Sequence, residues 1–207
     1  MVERHIAGRD VEDAAVLAAM REVPRHEFVP EPWRQFAYDD GPLPIGHRQT
    51  ISQPYIVAAM TELAAAPEDG RVLEIGAGSG YGAAVLSRVT RQVYTIEILG
   101  PLAARARATL KRLGYANVEV RCGDGYRGWP EHAPFDAILV TAAPEKVPEA
   151  LKQQLKIGGR LVLPVGERGQ RQELRVITRT RQGFRDEFVF GVKFVPMTGE
   201  AAAKSER

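Results

Sequence analysis

Hydrophobic and polar residues are spaced differently in the two parts of this chain, and the change falls at about residue 71. Before that point, apolar residues recur at helical spacing in two stretches. They predict a helix over 10–23, capped by Asp10, and a second helix over 54–66 that begins at Pro54. The intervening stretch 38–53 is rich in Gly and Pro, so we expect it to be loop.

From residue 71 onward, short apolar runs alternate with amphipathic stretches. The runs predict strands over 72–75, 92–97, 118–120, 135–141 and 160–165, with helices over 80–88, 102–113 and 144–155 between them. Strands that alternate with helices indicate a parallel sheet with helices on both faces. Two final strand-like segments, 172–179 and 184–194, are separated by a short turn and predict an antiparallel hairpin.

The expected fold is therefore α/β: a Rossmann-like, doubly wound and mostly parallel sheet with antiparallel C-terminal strands. The length of 207 residues fits one domain. Within it we expect an N-terminal helical extension over 1–68, a core over 71–196 and a flexible tail over 197–207, whose last residues are small and charged.

Composition narrows the possible partners and surroundings of the protein. A net charge of +2 gives no indication of a nucleic-acid partner, and no apolar run approaches the roughly 20 residues that span a bilayer. The one cysteine, Cys122, cannot form an internal disulfide, and we interpret it as a small core residue at a strand end. The first residues resemble no secretory signal, so the sequence favours a cytoplasmic protein without a membrane or nucleic-acid partner.

A glycine-rich loop follows the first strand of the predicted sheet, with the sequence Glu74-Ile-Gly76-Ala-Gly78-Ser-Gly80-Tyr-Gly82. Glycine lets a backbone turn tightly and approach a ligand, and open α/β sheets bind ligands at the carboxyl ends of their strands. The dinucleotide-binding pattern Gly-x-Gly-x-x-Gly does not fit this loop. When it is aligned on Gly76 its third glycine falls on Tyr81, and when it is aligned on Gly80 that glycine falls on Val85. The loop instead resembles that of class I methyltransferases, which implies S-adenosyl-L-methionine as cofactor and S-adenosyl-L-homocysteine as product. The histidines lack metal-ligand spacing, so no metal is expected.

Two acidic residues follow the next two strands. Glu97 ends the second strand, where an ionised carboxylate can accept both hydrogen bonds of a ribose diol. Asp124 resembles the acidic residue that meets the adenine amino group in class I methyltransferases, and the alternative is a turn residue, because turns favour Asp and Gly. The resemblance thus implies that the cofactor is bound by Glu74, Gly76, Gly78, Gly80, Glu97, Asp124 and Gly125.

Further stretches narrow the resemblance to one family. They are 19–30, 43–46, 49–55 with its segment Thr-Ile-Ser-Gln-Pro, and 123–136. With a match that runs from the first helix to 194–196, the chain resembles the protein-L-isoaspartate O-methyltransferases. The resemblance implies methyl transfer to the free α-carboxyl group of L-isoaspartyl residues in damaged proteins and peptides, which begins their repair through a succinimide.

By the same resemblance, Ser52 is the active-site residue, and Thr50, Ile51 and Ser52 bind the substrate. A free α-carboxyl group, with a pKa near ~3.5, is ionised at neutral pH and needs no general base. We therefore expect Ser52 to orient the carboxylate rather than to act as a nucleophile. The alternative role for Ser52 is an N-cap of the helix that begins at Pro54. One departure is visible: Arg48 stands where the family usually has a small residue, often Gly.

Other functions stay open at this point. One is a related methyltransferase acting on another carboxylate or a small molecule, and another is a non-catalytic module that keeps the cofactor fold. A nucleic-acid amino-methyltransferase is disfavoured, because Thr141-Ala142-Ala143-Pro144 replaces the usual Asn/Asp-Pro-Pro-aromatic signature. The sequence leaves open the preference for flanking residues, the acceptance of D-aspartyl residues and the oligomeric state, a monomer included.

Overall fold

The computed structural model describes residues 1–167 and 169–199. The helices are α1 (Val2–His5), α2 (Ala14–Glu22), α3 (Pro54–Ala64), α4 (Tyr81–Leu86), α5 (Gly100–Arg112) and α6 (Glu149–Gln153). The strands are β1 (Leu43–Gly46), β2 (Gln49–Ile51), β3 (Arg71–Ile75), β4 (Gln92–Glu97), β5 (Val118–Cys122), β6 (Phe135–Val140), β7 (Leu155–Val165), β8 (Gln172–Thr180) and β9 (Gly183–Val192). Short 3₁₀ helices cover Arg25–Phe28, Glu31–Phe36, Gly125–Arg127 and Pro130–His132. Over the described ranges, every helix is too short or too polar to traverse a lipid bilayer.

Seven strands form one sheet in the order β5-β4-β3-β6-β7-β8-β9. The ladders from β5 to β7 are parallel, and those that add β8 and β9 are antiparallel. This confirms the Rossmann-like, mostly parallel sheet with antiparallel C-terminal strands. The chain passes from β3 to β4 on one side and later places β6 on the other side of β3. The loops after these strands diverge there, and open α/β sheets bind ligands in such a crevice.

Helices cover both faces of the sheet, and the alternation along β3 demonstrates it. Val72 faces a hydrophobic layer that contains residues of α3 and α4, whereas Leu73 and Ile75 face a second layer with Trp129 and Leu151. Successive side chains of a strand point to opposite faces. The near-continuous apolar run of this strand therefore reflects burial on both sides.

The first long helix is capped by a different residue from the one predicted. Asp13 is the N-cap of α2, and its carboxylate accepts hydrogen bonds from the amides of Ala15 and Val16. Asp10 instead accepts a hydrogen bond of 2.6 Å from the Tyr55 hydroxyl, in α3. The prediction of Asp10 as the cap is wrong, because two aspartates precede the helical pattern and the helix begins at the nearer one.

The helix predicted over 144–155 is much shorter than expected. Only residues Glu149–Gln153 are helical, and Leu155 already belongs to β7. Gly158 and Gly159, which follow the predicted helix and resemble a helix-ending signal, both lie within this strand. Gly158 has a φ of 87°, and the ladder between β6 and β7 shifts register nearby. These glycines therefore serve an irregular strand, not a helix end.

A β-hairpin stands within the stretch predicted as loop. β1 pairs antiparallel with β2, and the two-residue turn His47-Arg48 joins them. Both turn residues have positive φ, 53° for His47 and 58° for Arg48. This is the backbone of a type I′ turn, in which glycine or asparagine is favoured at both positions. The departure noted at Arg48 thus falls on a residue that is held in the left-handed region.

The last described segment returns to the sheet. Ala143 and Pro196 form a parallel bridge, in which the Ala143 amide donates to the Val195 carbonyl and the Met197 amide donates to the Ala143 carbonyl. Met197 is 6% exposed. The tail predicted from residue 197 therefore begins too early, because Met197 is part of the core. The remainder of that prediction, 200–207, lies outside the described residues.

Cys122 ends β5, as the sequence predicted, but its environment differs from the expected one. The side chain is exposed. The prediction of a core residue is wrong because β5 is the edge strand of the sheet, with a neighbour on one side alone.

Candidate active site

A cleft of about 240 Å³ opens at the carboxyl ends of β3, β4 and β6. It is lined by residues that are far apart in the sequence, among them Thr50, Ile51, Ser52, Glu74, Gly76, Gly78, Glu97, Ile98, Leu99, Gly125, Thr141 and Met197. The structure thus brings together the three predicted substrate-binding residues and five of the seven predicted cofactor-binding residues. The other two, Gly80 and Asp124, lie beside the cleft and are not part of its lining.

Two glycines of the loop after β3 leave bare backbone at the cleft surface. Gly76 and Gly78 have φ values of 97° and 53°, in the region that favours glycine. A Cβ atom on Gly76 would strike the Thr141 hydroxyl, and one on Gly78 would lie 3.3 Å from Ile45. Both positions therefore require glycine, for their backbone conformation and for the space beside them.

Glu97 presents its carboxylate to the cleft from the end of β4. One oxygen accepts a hydrogen bond of 2.8 Å from the Gly78 amide, and the other accepts one of 2.9 Å from the Leu99 amide. Each oxygen has further acceptor capacity, which a vicinal diol could use. Ile98 follows directly and is 38% exposed, so an apolar surface lies next to the carboxylate.

Glu74 forms part of the cleft wall but is 2% exposed. Its carboxyl group accepts a hydrogen bond of 2.6 Å from the Thr95 hydroxyl. Burial raises the pKa of Glu74 to about 8, and the nearby Glu97 acts in the same direction. The side chain is thus mainly neutral at pH 7. A Cβ atom on Gly82 would strike its carboxyl group, which explains the last glycine of the loop.

Gly80 and Asp124 have evident structural roles. Gly80, with a φ of 90°, is the N-cap of α4 and lets this helix pack on α5, because a Cβ atom there would lie 3.2 Å from Leu110. Asp124 caps the 3₁₀ turn after β5 and accepts a hydrogen bond of 3.0 Å from the Tyr126 amide. A turn residue was the alternative interpretation of Asp124 from the sequence. Its neighbour Gly125 does line the cleft, and the adenine contact of Asp124 stays a prediction.

Ser52 lies between β2 and α3, and its hydroxyl is not used by the fold. The N-cap of α3 is Gln53, and no side chain caps this helix. Within 1–167 and 169–199, the Ser52 hydroxyl forms no hydrogen bond with another residue. The alternative role of Ser52 as the cap is therefore wrong. The preceding hairpin sets the position of Ser52, because Ile51 pairs with Leu43 and is 4% exposed.

A second groove meets the cleft at Ser52. Both are lined by Thr50, Ser52, Thr141 and Val195, and the groove continues past Lys193. Ser52 thus stands at the junction of the cleft and the groove.

Several lining residues were missed by the sequence analysis. The Thr141 hydroxyl donates to the carbonyls of Ile75 and Gly76, so it ties β6 to the glycine loop. A signal was available, because Thr141 is the one polar residue closing a long apolar run. The sequence signal for Ile98 was that an apolar residue directly follows a strand-end acid. Met197 had no such local signal, because a long-range bridge between Ala143 and Pro196 brings it to the cleft.

The lining fits an adenosyl ligand with an amino-acid part. Bare glycine backbone admits a close ligand, the paired acceptors of Glu97 match a ribose diol, and Ile98 with Ile75 offers apolar surface for a base. S-adenosyl-L-methionine combines these groups. Over the residues that the structure describes, no set of three or more His, Cys, Asp or Glu side chains is placed to hold a metal ion.

Sequence comparison gives relatives over almost the whole chain. Residues 1–202 match the family described as protein-L-isoaspartate(D-aspartate) O-methyltransferase (PCMT). A protein from Gloeobacter violaceus named protein-L-isoaspartate O-methyltransferase is 56% identical over 200 residues, which cover 97% of this chain and 98% of that protein. One of the same name from Opitutus terrae is 59% identical over 200 residues, covering 97% and 86%.

Solved structures agree with these relatives. A structure described as protein-L-isoaspartate O-methyltransferase superposes with a TM-score of 0.84 at 33% identity, and covers 90% of this chain and 62% of that one. A Plasmodium falciparum structure described by the same activity, in complex with S-adenosyl-L-homocysteine, has a TM-score of 0.78 at 26% identity and covers 91% and 92%.

Proposed function

This chain belongs to the protein-L-isoaspartate(D-aspartate) O-methyltransferase family, and we propose that its Ser52 holds the substrate carboxylate while Glu97 holds the ribose of S-adenosyl-L-methionine. The protein is an S-adenosyl-L-methionine-dependent carboxyl O-methyltransferase of protein repair. It methylates the free α-carboxyl group of L-isoaspartyl residues in damaged proteins, which begins repair through a succinimide. S-adenosyl-L-homocysteine is the second product.

The reaction needs alignment more than acid–base chemistry. An α-carboxyl group has a pKa near ~3.5 and is already ionised at neutral pH. When bound, S-adenosyl-L-methionine supplies an electrophilic methyl group on a positively charged sulfur. The task of the chain is to hold the carboxylate in line with that methyl group, and good alignment can lower a barrier by up to roughly 7–11 kcal/mol.

The position of Ser52 carries the proposal. Its hydroxyl stands where the cleft and the groove meet, and it has no hydrogen-bond partner among the described residues. It can therefore donate to a carboxylate oxygen without giving up a bond of the fold. α3 begins two residues later, at Pro54, and the free amides of a helix N-terminus favour an anion.

The cofactor side of the cleft has matching properties. Gly76 and Gly78 keep the glycine loop free of side chains, and Glu97 offers one acceptor oxygen to each hydroxyl of a diol. Glu74, with its pKa raised to about 8 by burial, is mainly uncharged at pH 7. A neutral Glu74 adds little repulsion toward a substrate carboxylate that enters the same cleft.

Methyl transfer from labelled cofactor to a matched pair of peptides tests this function. One peptide carries L-isoaspartate, and its control carries normal L-aspartate at the same position. We expect label on the first peptide alone, and we expect mild base to release it, because a methyl ester is base-labile. Equal labelling of both peptides, or a base-stable label, would contradict the proposal.

We also propose a cytoplasmic place of action, with isoaspartyl proteins and peptides as the partners and no nucleic-acid partner. The one cysteine leaves no internal disulfide, as suits a reducing compartment, and the net charge of +2 does not favour nucleic acid. A gel-shift titration with duplex and single-stranded DNA tests the absence of nucleic-acid binding, and sedimentation of the purified protein measures the oligomeric state, which the sequence leaves open.

A further inference from the structure

Arg25 is a buried cation whose hydrogen-bond acceptors are uncharged backbone carbonyls, and the nearby carboxylate of Asp40 also acts on its charge. The residue has no exposed surface, and its guanidinium group contacts backbone carbonyls and the Tyr81 ring. Burial lowers the pKa of Arg25 to about 10, so the group still carries its proton at neutral pH. Burying a charge is costly unless it is well hydrogen-bonded. The contacts of Arg25 are therefore expected to matter.

The guanidinium group ties together the two ends of one chain segment. Its Nε donates a hydrogen bond of 2.8 Å to the Ala37 carbonyl, and its Nη2 donates one of 2.8 Å to the Ser52 carbonyl. Nη2 also lies 3.5 Å from the Gly41 carbonyl. The segment between Ala37 and Ser52 contains the hairpin β1–β2. A planar fork with several fixed donors can hold both ends at once, whereas a lysine offers a single point of charge.

The same group also contacts the cofactor side of the site. Its Cζ lies 4.9 Å from the centre of the Tyr81 ring, within the range of a cation–π contact. Tyr81 is the first residue of α4, directly after the glycine loop, and it lines the cleft. Arg25 thus touches the loop that carries Ser52 and the helix that follows the cofactor loop.

We propose that Arg25 is a positioning residue that fixes the Ser52 backbone, and through it the Ser52 hydroxyl, relative to the glycine loop. Arg25 is not part of the cleft lining, so it acts through Ser52 and not on the substrate. This inference rests on the proposed role of Ser52 in holding the substrate carboxylate. A misplacement of a reacting group by about 1 Å can cost roughly 10²-fold in rate, so a small shift of this loop is enough to be measured.

Arg25→Lys tests the role of the fork, because it keeps the charge and replaces the two separately placed donor nitrogens, Nε and Nη2, with one ammonium nitrogen. We expect kcat for an isoaspartyl peptide to fall roughly 10- to 100-fold, while the Kd for S-adenosyl-L-homocysteine changes less than about twofold. Arg25→Gln is made in parallel, and rates are referred to the folded fraction measured by circular dichroism. The matched control is Arg160→Met, which also removes a hydrogen bond from an arginine to a backbone carbonyl. Arg160 donates to the Leu63 carbonyl, at the opposite end of α3 from Ser52. The control should lose stability and keep its kinetic constants.

A double variant separates positioning from general stability. If Arg25 acts through Ser52, Arg25→Lys should slow the Ser52→Ala enzyme much less than it slows the wild type, because the hydroxyl that it positions is gone. Full additivity of the two losses, or a kcat of Arg25→Lys equal to that of the wild type, would overturn the inference. If Ser52→Ala alone keeps full activity, the proposed role of Ser52 fails, and the inference about Arg25 fails with it.

Discussion

The main-chain amide of Gly78 donates a hydrogen bond of 2.8 Å to the carboxylate of Glu97. This contact joins the glycine loop after β3 to the end of β4. The residue that is proposed to bind the ribose is therefore also the residue that fixes the loop beside it. Two parts of the proposed cofactor site therefore share one anchor, and we expect both to respond when that anchor is changed.

Glu97→Ala should weaken cofactor binding while the fold stays intact. Loss of a charge-assisted pair of hydrogen bonds costs about 2–3 kcal/mol, which raises the Kd for S-adenosyl-L-homocysteine about 30- to 150-fold. Calorimetric titration measures this directly. Glu119→Ala is the control, because Glu119 is an exposed acid of β5 outside the cleft. Unchanged affinity in Glu97→Ala would remove Glu97 from the site.

Gly78→Val should abolish cofactor binding, because a branched side chain would crowd Ile45 and fill the loop surface. Gly114→Val provides the control. Gly114 also has a positive φ, of 79°, but a Cβ atom there meets no atom within 4 Å. Both variants should lose roughly 1–2 kcal/mol of unfolding free energy from backbone strain. If both bind the cofactor equally well, the loop does not form the binding surface.

Ser52→Ala should slow methyl transfer about 10²- to 10³-fold and leave the cofactor affinity nearly unchanged, because one oriented donor is lost. Measurable residual activity is expected. Ser87→Ala is the control, since the Ser87 hydroxyl donates to the Ala84 carbonyl at the end of α4. This control should lose stability alone.

Mass spectrometry distinguishes a Ser52 that orients the substrate carboxylate from a Ser52 that acts as a covalent nucleophile. Mass spectrometry of the quenched wild type should show no modified Ser52. A covalent Ser52 adduct on the reaction pathway would exclude direct transfer to the carboxylate.

Glu74 should make the stability of the fold depend on pH. Its pKa is raised from 4.5 to about 8 by burial, so the folded protein keeps a proton that the unfolded chain releases. The stability from this proton is fully present below about pH 4.5 and is lost as the pH rises toward about 8. At 1.36 kcal/mol per pKa unit, the loss amounts to roughly 4–5 kcal/mol at most.

Glu74→Gln isolates this contribution, because glutamine is neutral at every pH in the window. Urea unfolding of both proteins at about pH 5 and about pH 8 gives the comparison. We expect the wild type to lose more stability than the variant between these two pH values. Parallel losses would show that Glu74 does not hold the extra proton.

Local spacing was enough to predict that the glycine loop and Glu97 lie in the same cleft. The strand predicted over 92–97 coincides with β4, and the glycine pattern places the loop directly after β3. Each of these features depends on neighbouring residues. Their convergence follows from the fold class, because the carboxyl ends of parallel strands meet at one edge of the sheet. The sequence could therefore place Gly78 and Glu97 together without a three-dimensional structure.

Long-range contacts determine what the sequence did not predict. Arg25 resembles any surface arginine in a polar stretch, and its role appears only when the Ala37 and Ser52 carbonyls are brought to it. The length of the helix predicted over 144–155 was overestimated, because Leu155 pairs in the sheet as the first residue of β7. The turn at Arg48 was missed because its left-handed backbone carries no glycine signal. In each case tertiary pairing overrode the local pattern.

The bridge between Ala143 and Pro196 has a consequence for the synthesis of the protein. It brings Met197 into the wall of a cleft whose other residues begin at His47. While the ribosome is still translating the final strands, the nascent chain has its glycine loop but lacks this wall. Because the lining extends to Thr198, the pocket has all its walls only after the chain through that residue has been made.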